Sequence, residues 1–367
     1  MEVRRLAVIG TGLIGASVAL AAKRAGAVEE VAGFDPDPAA LEAALERGAL
    51  DERAGSLEAA VAGAELVVVA APVAQVAGQV RAALEASGDE TTVTDVGSTK
   101  SGACDAAGGS PRFVGGHPVS GSEARGAEHA SAELFDGATW FLTPLTETDP
   151  ARYRLVHGFV SALGATPVAV DPQAHDRLVA LTSHLPHALA NLLVNQAGAT
   201  RVEGHEPLAA AGGSLRDMTR VAGANPRIWV DIFVENAASL RESLAEHRRR
   251  VEQLEAALDA GDAGFLARWI GEAAGNRRRM LADAFPDPGE LQQLRVHVPD
   301  RPGVLAGITQ ALGAERINIE DFELHHVSPD RGGTLTLLVT GEDEAGRAAA
   351  LLESQGYAVV ISPVLAE

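Results

Sequence analysis

Residues Arg4–Ile9 form a short apolar run that stops at Gly10-Thr11-Gly12-Leu13-Ile14-Gly15. An Ala-rich amphipathic stretch follows to about Ala25, then a second apolar run, Glu30–Phe34, ends on Asp35. Strand, glycine turn, helix, strand and acid in that order read as a βαβ dinucleotide unit, and few other folds use them together. Gly10 allows the tight turn, Gly12 lets a pyrophosphate approach the backbone, and Gly15 permits close helix packing. Leu13 and Ile14 open the helix, whose N-terminus faces the phosphates. Asp35 lies twenty residues past Gly15, where a carboxylate accepts hydrogen bonds from the adenosine ribose. The same carboxylate repels a 2′-phosphate, so the expected cofactor is NAD rather than NADP.

Further strands at Leu66–Ala70, Thr92–Asp95 and Phe113–Gly115 extend a parallel sheet, with helices between them. Their carboxyl ends carry Ala71-Pro72-Val73, Val96-Gly97-Ser98-Thr99-Lys100 and His117. Ligands bind beyond the carboxyl ends of an open α/β sheet, so Pro72 borders the cofactor, while Ser98 and His117 face its reactive end. Ser98 has a second reading, as the N-cap of the helix that follows. In Gly115–Glu128, GGHPVSGSEARGAE, His117 sits on a Gly-Gly hinge fixed from behind by Pro118, and the loop returns through Glu123. An imidazole there can share a proton near neutral pH. A strand near Thr139–Thr143, a helix from about Pro150 and a strand at Pro167–Val170 close this first domain, residues 1–171.

From Asp171-Pro172 the pattern changes to long helices, giving an all-helical domain over 172–288. The first helix, about Gln173–Ala199, carries Ser183-His184-Leu185-Pro186-His187, and Pro186 should kink it. His184 and His187 share a helix face, as metal ligands would. No third ligand is in register, so a substrate-facing or core role is preferred and no metal is expected. After Gly212-Gly213-Ser214 comes Leu215-Arg216-Asp217-Met218-Thr219-Arg220. Asn225 caps a further helix with Pro226 in its first turn. That helix, to about Ala260, spaces Leu240, Leu244, Val251, Leu254 and Leu258 as a helix–helix seam, for a homodimer or for a bundle within the chain. Phe285–Gly289 reads as a linker. The remainder, 289–367, has the strand–helix–strand–strand–helix–strand order of a ferredoxin-like α+β module.

Composition narrows the partners. A net charge of −20 argues against nucleic acid and against anionic membranes, so an anionic substrate must be held by a few local cations. Cys104 is the only cysteine, which excludes an intrachain disulfide and a Cys-rich zinc site. The N-terminus enters a strand without a signal-peptide core, and the apolar run around Leu66–Val76 is cut by Pro72, so a cytoplasmic protein is expected. Only Lys23 and Lys100 are lysines.

In five segments the chain resembles the prephenate dehydrogenase family in the form that carries a C-terminal ACT domain. These are GTGLIGAS at Gly10–Ser17, TDVGSTK at Thr94–Lys100, GGHPVSGSEARG at Gly115–Gly126, SHLPH at Ser183–His187 and GGSLRDMTRVAGANPRIW at Gly212–Trp229. The resemblance implies NAD-dependent oxidative decarboxylation of prephenate to 4-hydroxyphenylpyruvate, on the route to tyrosine. It makes His117 the catalytic histidine at the ring hydroxyl and Ser98 a residue that orients it. It makes Arg220 the anchor of a substrate carboxylate, as its planar fork suits. His187 becomes a second active-site histidine, with Ser183, His184 and Gly213 nearby and Glu123 at the mouth. Trp229 matches a tryptophan presented near the partner subunit's site. DRPGVLA at Asp300–Ala306 and INIEDF at Ile317–Phe322 carry the ACT resemblance, which puts an amino-acid effector, tyrosine, near Gly303 and Asn318. Arogenate, with an amino acid in place of prephenate's keto acid, remains an alternative substrate. β-Hydroxyacid dehydrogenases are a more distant rival; they use a lysine in the helical domain, and both lysines here precede it. A non-catalytic amino-acid sensor would not need His117, Ser98 and Arg220 together.

Overall fold

The computed structural model describes residues 3–120, 124–284, 290–328 and 332–364. Two units divide it, Met1–Arg249 and Arg250–Glu367. The first begins with β1 (Val3–Ile9), α1 (Leu13–Arg24), β2 (Val28–Phe34), α2 (Pro38–Glu46), β3 (Glu52–Arg53) and α3 (Leu57–Val61). It continues with β4 (Leu66–Val69), α4 (Val73–Ala86), β5 (Thr92–Asp95), α5 (Ser101–Ala106) and β6 (Phe113–Pro118). Then come β7 (Thr139–Pro144), α6 (Pro150–Ala162) and β8 (Thr166–Ala169). The strands form one sheet in the order β3-β2-β1-β4-β5-β6-β7-β8. β6 and β7 are antiparallel; every other neighbouring pair is parallel. The order reverses between β1 and β4, which opens the ligand crevice of a Rossmann fold at their carboxyl ends. β4 reads LVVV and is buried at every position, as a strand covered by helices on both faces must be.

His117 departs from expectation in its backbone. It lies inside β6, paired with Phe141 of β7, and the two glycines before it are not a hinge. A Cβ on Gly115 would run into Thr143 Oγ1, and one on Gly116 would stand 2.5 Å from the Asp95 carbonyl oxygen. They are glycine because neighbouring chain approaches too closely for a side chain. His117 is thereby held on a rigid strand.

The helical part of this unit holds α7 (Pro172–Val179), α8 (Leu185–Ala199), α9 (Gly213–Thr219), α10 (Pro226–Glu235) and the first part of α11 (Ala237–Asp259), which ends in the second unit. α7 and α8 are joined by a π-turn over Ala180–His184, which Leu185 alone separates from Pro186. The regular α-helix is interrupted there by the π-turn, as suits the proline, which has no N–H to give to the preceding turn. The helix expected to run unbroken from Pro226 to about Ala260 instead breaks at Asn236 (φ −104°, ψ 29°). Asn225 caps α10 as expected, its Oδ1 accepting from Arg227 N at 3.0 Å.

The second unit includes α12 (Ala263–Ala284), then β9 (Leu291–Val298), α13 (Val304–Ala314), β10 (Asp321–Ser328), β11 (Gly332–Thr340), α14 (Glu342–Ser354) and β12 (Ala358–Pro363). Its antiparallel sheet runs β10-β11-β9-β12, as a ferredoxin-like module requires. Leu294, Val296, Leu335, Leu337, Ile308 and Leu312 close its core. The linker reading of Phe285–Gly289 falls outside the described residues.

Candidate active site

The glycine turn tests itself for a nucleotide. Gly10 has φ +95°, and a Cβ there would meet Ala70 O at 2.5 Å. One on Gly15 would strike the Gly10 carbonyl. Both are demanded by the fold. Gly12 is different: a Cβ there meets nothing within 4 Å, and its φ of −68° suits any residue. Its lack of a side chain keeps open the space above the N-terminus of α1, which no side chain caps. Uncapped amides beside an open backbone suit a pyrophosphate. Asp35 accepts from Thr11 N at 2.8 Å and from Asp37 N at 2.9 Å, which fixes its carboxylate against the turn, where a ribose would sit. The residues therefore fit NAD. Leu13 and Ile14 begin α1, and Pro72 stands at the start of α4.

His117 is half-buried at the carboxyl end of β6. Its Nδ1 lies 2.8 Å from His175 Nε2, and His175 Nδ1 lies 2.9 Å from Asp176 Oδ1. His175 is fully buried. Asp176 also accepts from Lys100 N (2.7 Å, Oδ1) and Ser101 N (2.9 Å, Oδ2). Burial works against its charge, yet the hydrogen bonds from His175, Ser101 and Lys100 hold its carboxyl down at about 2. Burial first, then the neighbouring His175, Lys100 and His184, pushes His117 well below the ordinary histidine value, Asp176 opposing. The imidazole is neutral at neutral pH, as a hydrogen-bond acceptor must be.

Behind it lies a buried ion pair. Lys100 Nζ and Asp95 Oδ2 meet with both side chains wholly buried. Asp95 also accepts from Gly97 N at 2.9 Å and Gly116 N at 3.1 Å, so one carboxylate holds the 96–100 turn and the strand bearing His117. Ser98 lies on that turn, half-buried. The helix after it starts at Ser101 without a side-chain cap, so Ser98 does not cap it. Among the described residues the partner of the His117 ring nitrogen is His175, not Ser98. Cys104, beside this cluster, is an inert thiol: burial pushes it up to about 11.

The π-turn separates the two histidines that share SHLPH. His184 is buried; its Nδ1 accepts from Asn236 Nδ2 at 3.2 Å, and Asn236 also donates to the Asp176 carbonyl at 2.7 Å. Burial lowers His184 to about 4. It is a core residue, and the break at Asn236 serves these two bonds. His187 is half-buried, with Nδ1 3.0 Å from the Ser183 carbonyl oxygen and its ring stacked on Trp229 at 3.5 Å. Trp229 thus packs against a histidine of its own chain. Burial lowers the His187 pKa, the Ser183 contact opposes this, and Arg220 adds to the lowering. Arg220 is exposed in a 3₁₀ turn over Arg220–Gly223, and Gly213 is exposed at the start of α9. Glu123 lies outside the described residues. Among the described residues no group of three or more His, Cys, Asp or Glu converges as a metal site.

Sequence reading missed His175, Asp176, Asp95 and Lys100. Lys100 offered one signal, as one of two lysines among thirty basic residues. His175-Asp176 offered only an adjacent pair on a helix start.

A family description, "Prephenate dehydrogenase, nucleotide-binding domain", matches residues 18–169; "Prephenate dehydrogenase, dimerization domain" matches 171–272 and "ACT domain" 292–356. Prephenate dehydrogenase of Bacillus subtilis is 33% identical over 354 residues, covering 94% of this chain and 95% of that one. The chain belongs to the prephenate dehydrogenase family. It is an NAD-binding oxidoreductase with a dimerisation domain and an ACT domain. The crystal structure of prephenate dehydrogenase from Aquifex aeolicus with hydroxyphenyl propionate and NAD+ aligns with a TM-score of 0.71 at 27% identity, covering 76% of this chain and 99% of that one. Synechocystis arogenate dehydrogenase aligns with a TM-score of 0.68 at 28% identity, covering 75% and 99%. In the ACT domain, Gly303 is left-handed (φ +88°) where α13 begins, with open space at its Cβ position. Asn318 is exposed and donates to Glu320 at 2.8 Å. No helix among the described residues is long and apolar enough to cross a membrane.

Proposed function

We propose that the protein is a prephenate dehydrogenase, oxidising prephenate with loss of CO₂ to 4-hydroxyphenylpyruvate. The observation that carries this is a neutral His117 held on a rigid strand at the mouth of the nucleotide crevice. NAD, when bound, accepts the hydride from the carbinol carbon. His117 accepts the hydrogen bond of the carbinol hydroxyl and shares its proton as that oxygen takes on carbonyl character. The ring carboxylate then leaves as CO₂, and its bonding pair completes the aromatic ring, so the proton remains with the phenol. Arg220 and the face formed by His187 and Trp229 hold the carboxylate ends of the substrate; Ser183, His184, Gly213 and Glu123 frame them, and Ser98 faces the hydroxyl.

Support for a homodimer comes from exposed apolar side chains on the helical segment, among them Leu181, Leu192, Met218, Val230 and Val234. Tyrosine is the proposed effector at Gly303 and Asn318, where the left-handed glycine lets backbone amides approach a carboxylate. We assign the three domains to 1–171, 172–288 and 289–367, and the protein to the cytoplasm. Similarity to an arogenate dehydrogenase makes arogenate the second reading of the substrate. Steady-state kinetics on prephenate and arogenate, each with NAD and NADP, test the proposal. It expects the highest kcat/KM for prephenate with NAD. Preference for arogenate, or equal use of NADP, would overturn the substrate or the Asp35 reading respectively.

A further inference from the structure

We propose that His175 and Asp176 form a relay that sets the tautomer of His117, fixing its proton on Nδ1 so that Nε2 presents a lone pair to the substrate hydroxyl. The proposal rests on the reading of His117 as the acceptor of that hydroxyl.

The order of donors follows from one end. An ionised carboxylate only accepts hydrogen bonds. Asp176 Oδ1 faces His175 Nδ1 at 2.9 Å, so that nitrogen carries a proton. In the proposed relay this is the only ring proton of His175, which leaves a lone pair on Nε2. That nitrogen is 2.8 Å from His117 Nδ1, which must be the donor. His117, neutral in its buried setting, is left with its lone pair on Nε2. Each ring is thus held in the Nδ1–H form by the group behind it.

The anchor is held from several sides. Asp176 is pinned by two backbone amides, Lys100 N and Ser101 N, from the segment beyond β5. Its own carbonyl is held by Asn236. His175 is fully buried and meets His117 edge-to-face, with ring centroids 5.0 Å apart, while Phe141 closes another side at 5.3 Å. A buried ring tethered at both nitrogens and packed against two other rings is held against a flip that would offer the wrong nitrogen. The logic is that of a carboxylate orienting a catalytic imidazole, with one more imidazole in the line. Among the described residues, the charged or titratable groups around His117 are His175 and Asp176 of α7, His184 of the π-turn, and Lys100 with its partner Asp95.

Because His175 touches neither hydride nor substrate in this account, it is a positioning residue, and its test needs a readout that general support of the fold would not move. Nitrogen-15 NMR of the intact, ligand-free enzyme, labelled in histidine, distinguishes protonated from unprotonated ring nitrogens. Comparison with His117→Asn and His175→Phe assigns the signals. The expected result is a proton on Nδ1 and none on Nε2 for both rings at neutral pH. His117 protonated on Nε2, or His175 protonated on both nitrogens, would overturn the relay whatever the enzyme's substrate. In kinetics, His175→Phe should lower kcat between about 10- and 10⁴-fold, the upper figure being the cost of a wrong tautomer in the serine-protease triad. NAD affinity and KM should stay close to wild type. His175→Gln, whose amide can donate to Asp176 and accept from His117, should recover most of the loss. Equal kcat in His175→Phe and wild type, or no rescue by glutamine in a folded variant that still binds NAD, would refute it.

Discussion

At the scale of single residues, the proposed chemistry depends on His117 being neutral. If it accepts the hydroxyl proton, His117→Ala should lower kcat by about 10²–10⁴-fold while NAD binding changes little. A near-normal kcat, with NAD affinity measured on the same sample, would make the residue structural. The pH dependence has a definite sign. His117 is displaced downward first by burial and then by its neighbours His175, Lys100 and His184, with Asp176 opposing. Its working form, the free base, therefore persists below the ordinary histidine value of about 6.5. The acid limb of kcat/KM should fall only below that pH, and an apparent pKa above it would contradict the environment described. Arg220 is the other wager. It is exposed, and in the proposed role its guanidinium would pair with a substrate carboxylate that removes it from water. Arg220→Ala should cost about 2–5 kcal/mol of substrate affinity, seen as a steep rise in KM, and Arg220→Lys should restore only part. An unchanged KM would move the anchor, with Arg216 next in line.

At the scale of elements, the nucleotide unit was legible because its parts are consecutive: β1, turn, α1, β2 and Asp35 need no partner from elsewhere in the chain. The interaction that holds the catalytic strand was not. Asp95 and Lys100 sit in a segment whose sequence, TDVGSTK, shows only a strand end and a turn. Their burial depends on β6 and α7 closing over them. His175 pairs with His117 across 58 residues, and Asp176 reaches back to Lys100 across 76. No local period encodes such distances. The same holds for Asn236, an ordinary helix residue by propensity, whose bonds to Asp176 and His184 end α10 early. Gly115 and Gly116 were read as freedom because a glycine pair in a sequence looks the same whether it bends or packs. Lys100→Met would leave the Asp95 charge buried and unpaired. That should destabilise the protein by about 3–5 kcal/mol in denaturant unfolding, and Asp95→Asn with Lys100→Met should cost less than the two singles summed. A loss below about 1 kcal/mol, the range of exposed pairs, would mean that the pair is solvated.

At the scale of the whole molecule, the chain joins a part that carries every candidate catalytic residue, all before residue 285, to a small α+β module that matches the ACT domain description. If tyrosine binds at Gly303, Gly303→Val should keep the prephenate kinetics and lose tyrosine inhibition. Coupling between such sites is typically about 1–3 kcal/mol, so the inhibition lost should amount to several-fold or more in apparent affinity. Inhibition that survives both this substitution and deletion of Leu291–Glu367 in an active enzyme would place tyrosine in the active site instead. The three-part order was legible because each part has its own period and turn chemistry, whereas the proposed dimer surface, exposed apolar side chains on helices, reads in sequence as any helix seam does. The central claim is the reaction itself, and product stoichiometry tests it most directly. The intact enzyme, given prephenate and NAD, should release NADH, CO₂ and 4-hydroxyphenylpyruvate in equal amounts. NADH without CO₂, or no NADH from prephenate under conditions where NAD is shown to bind, would contradict it.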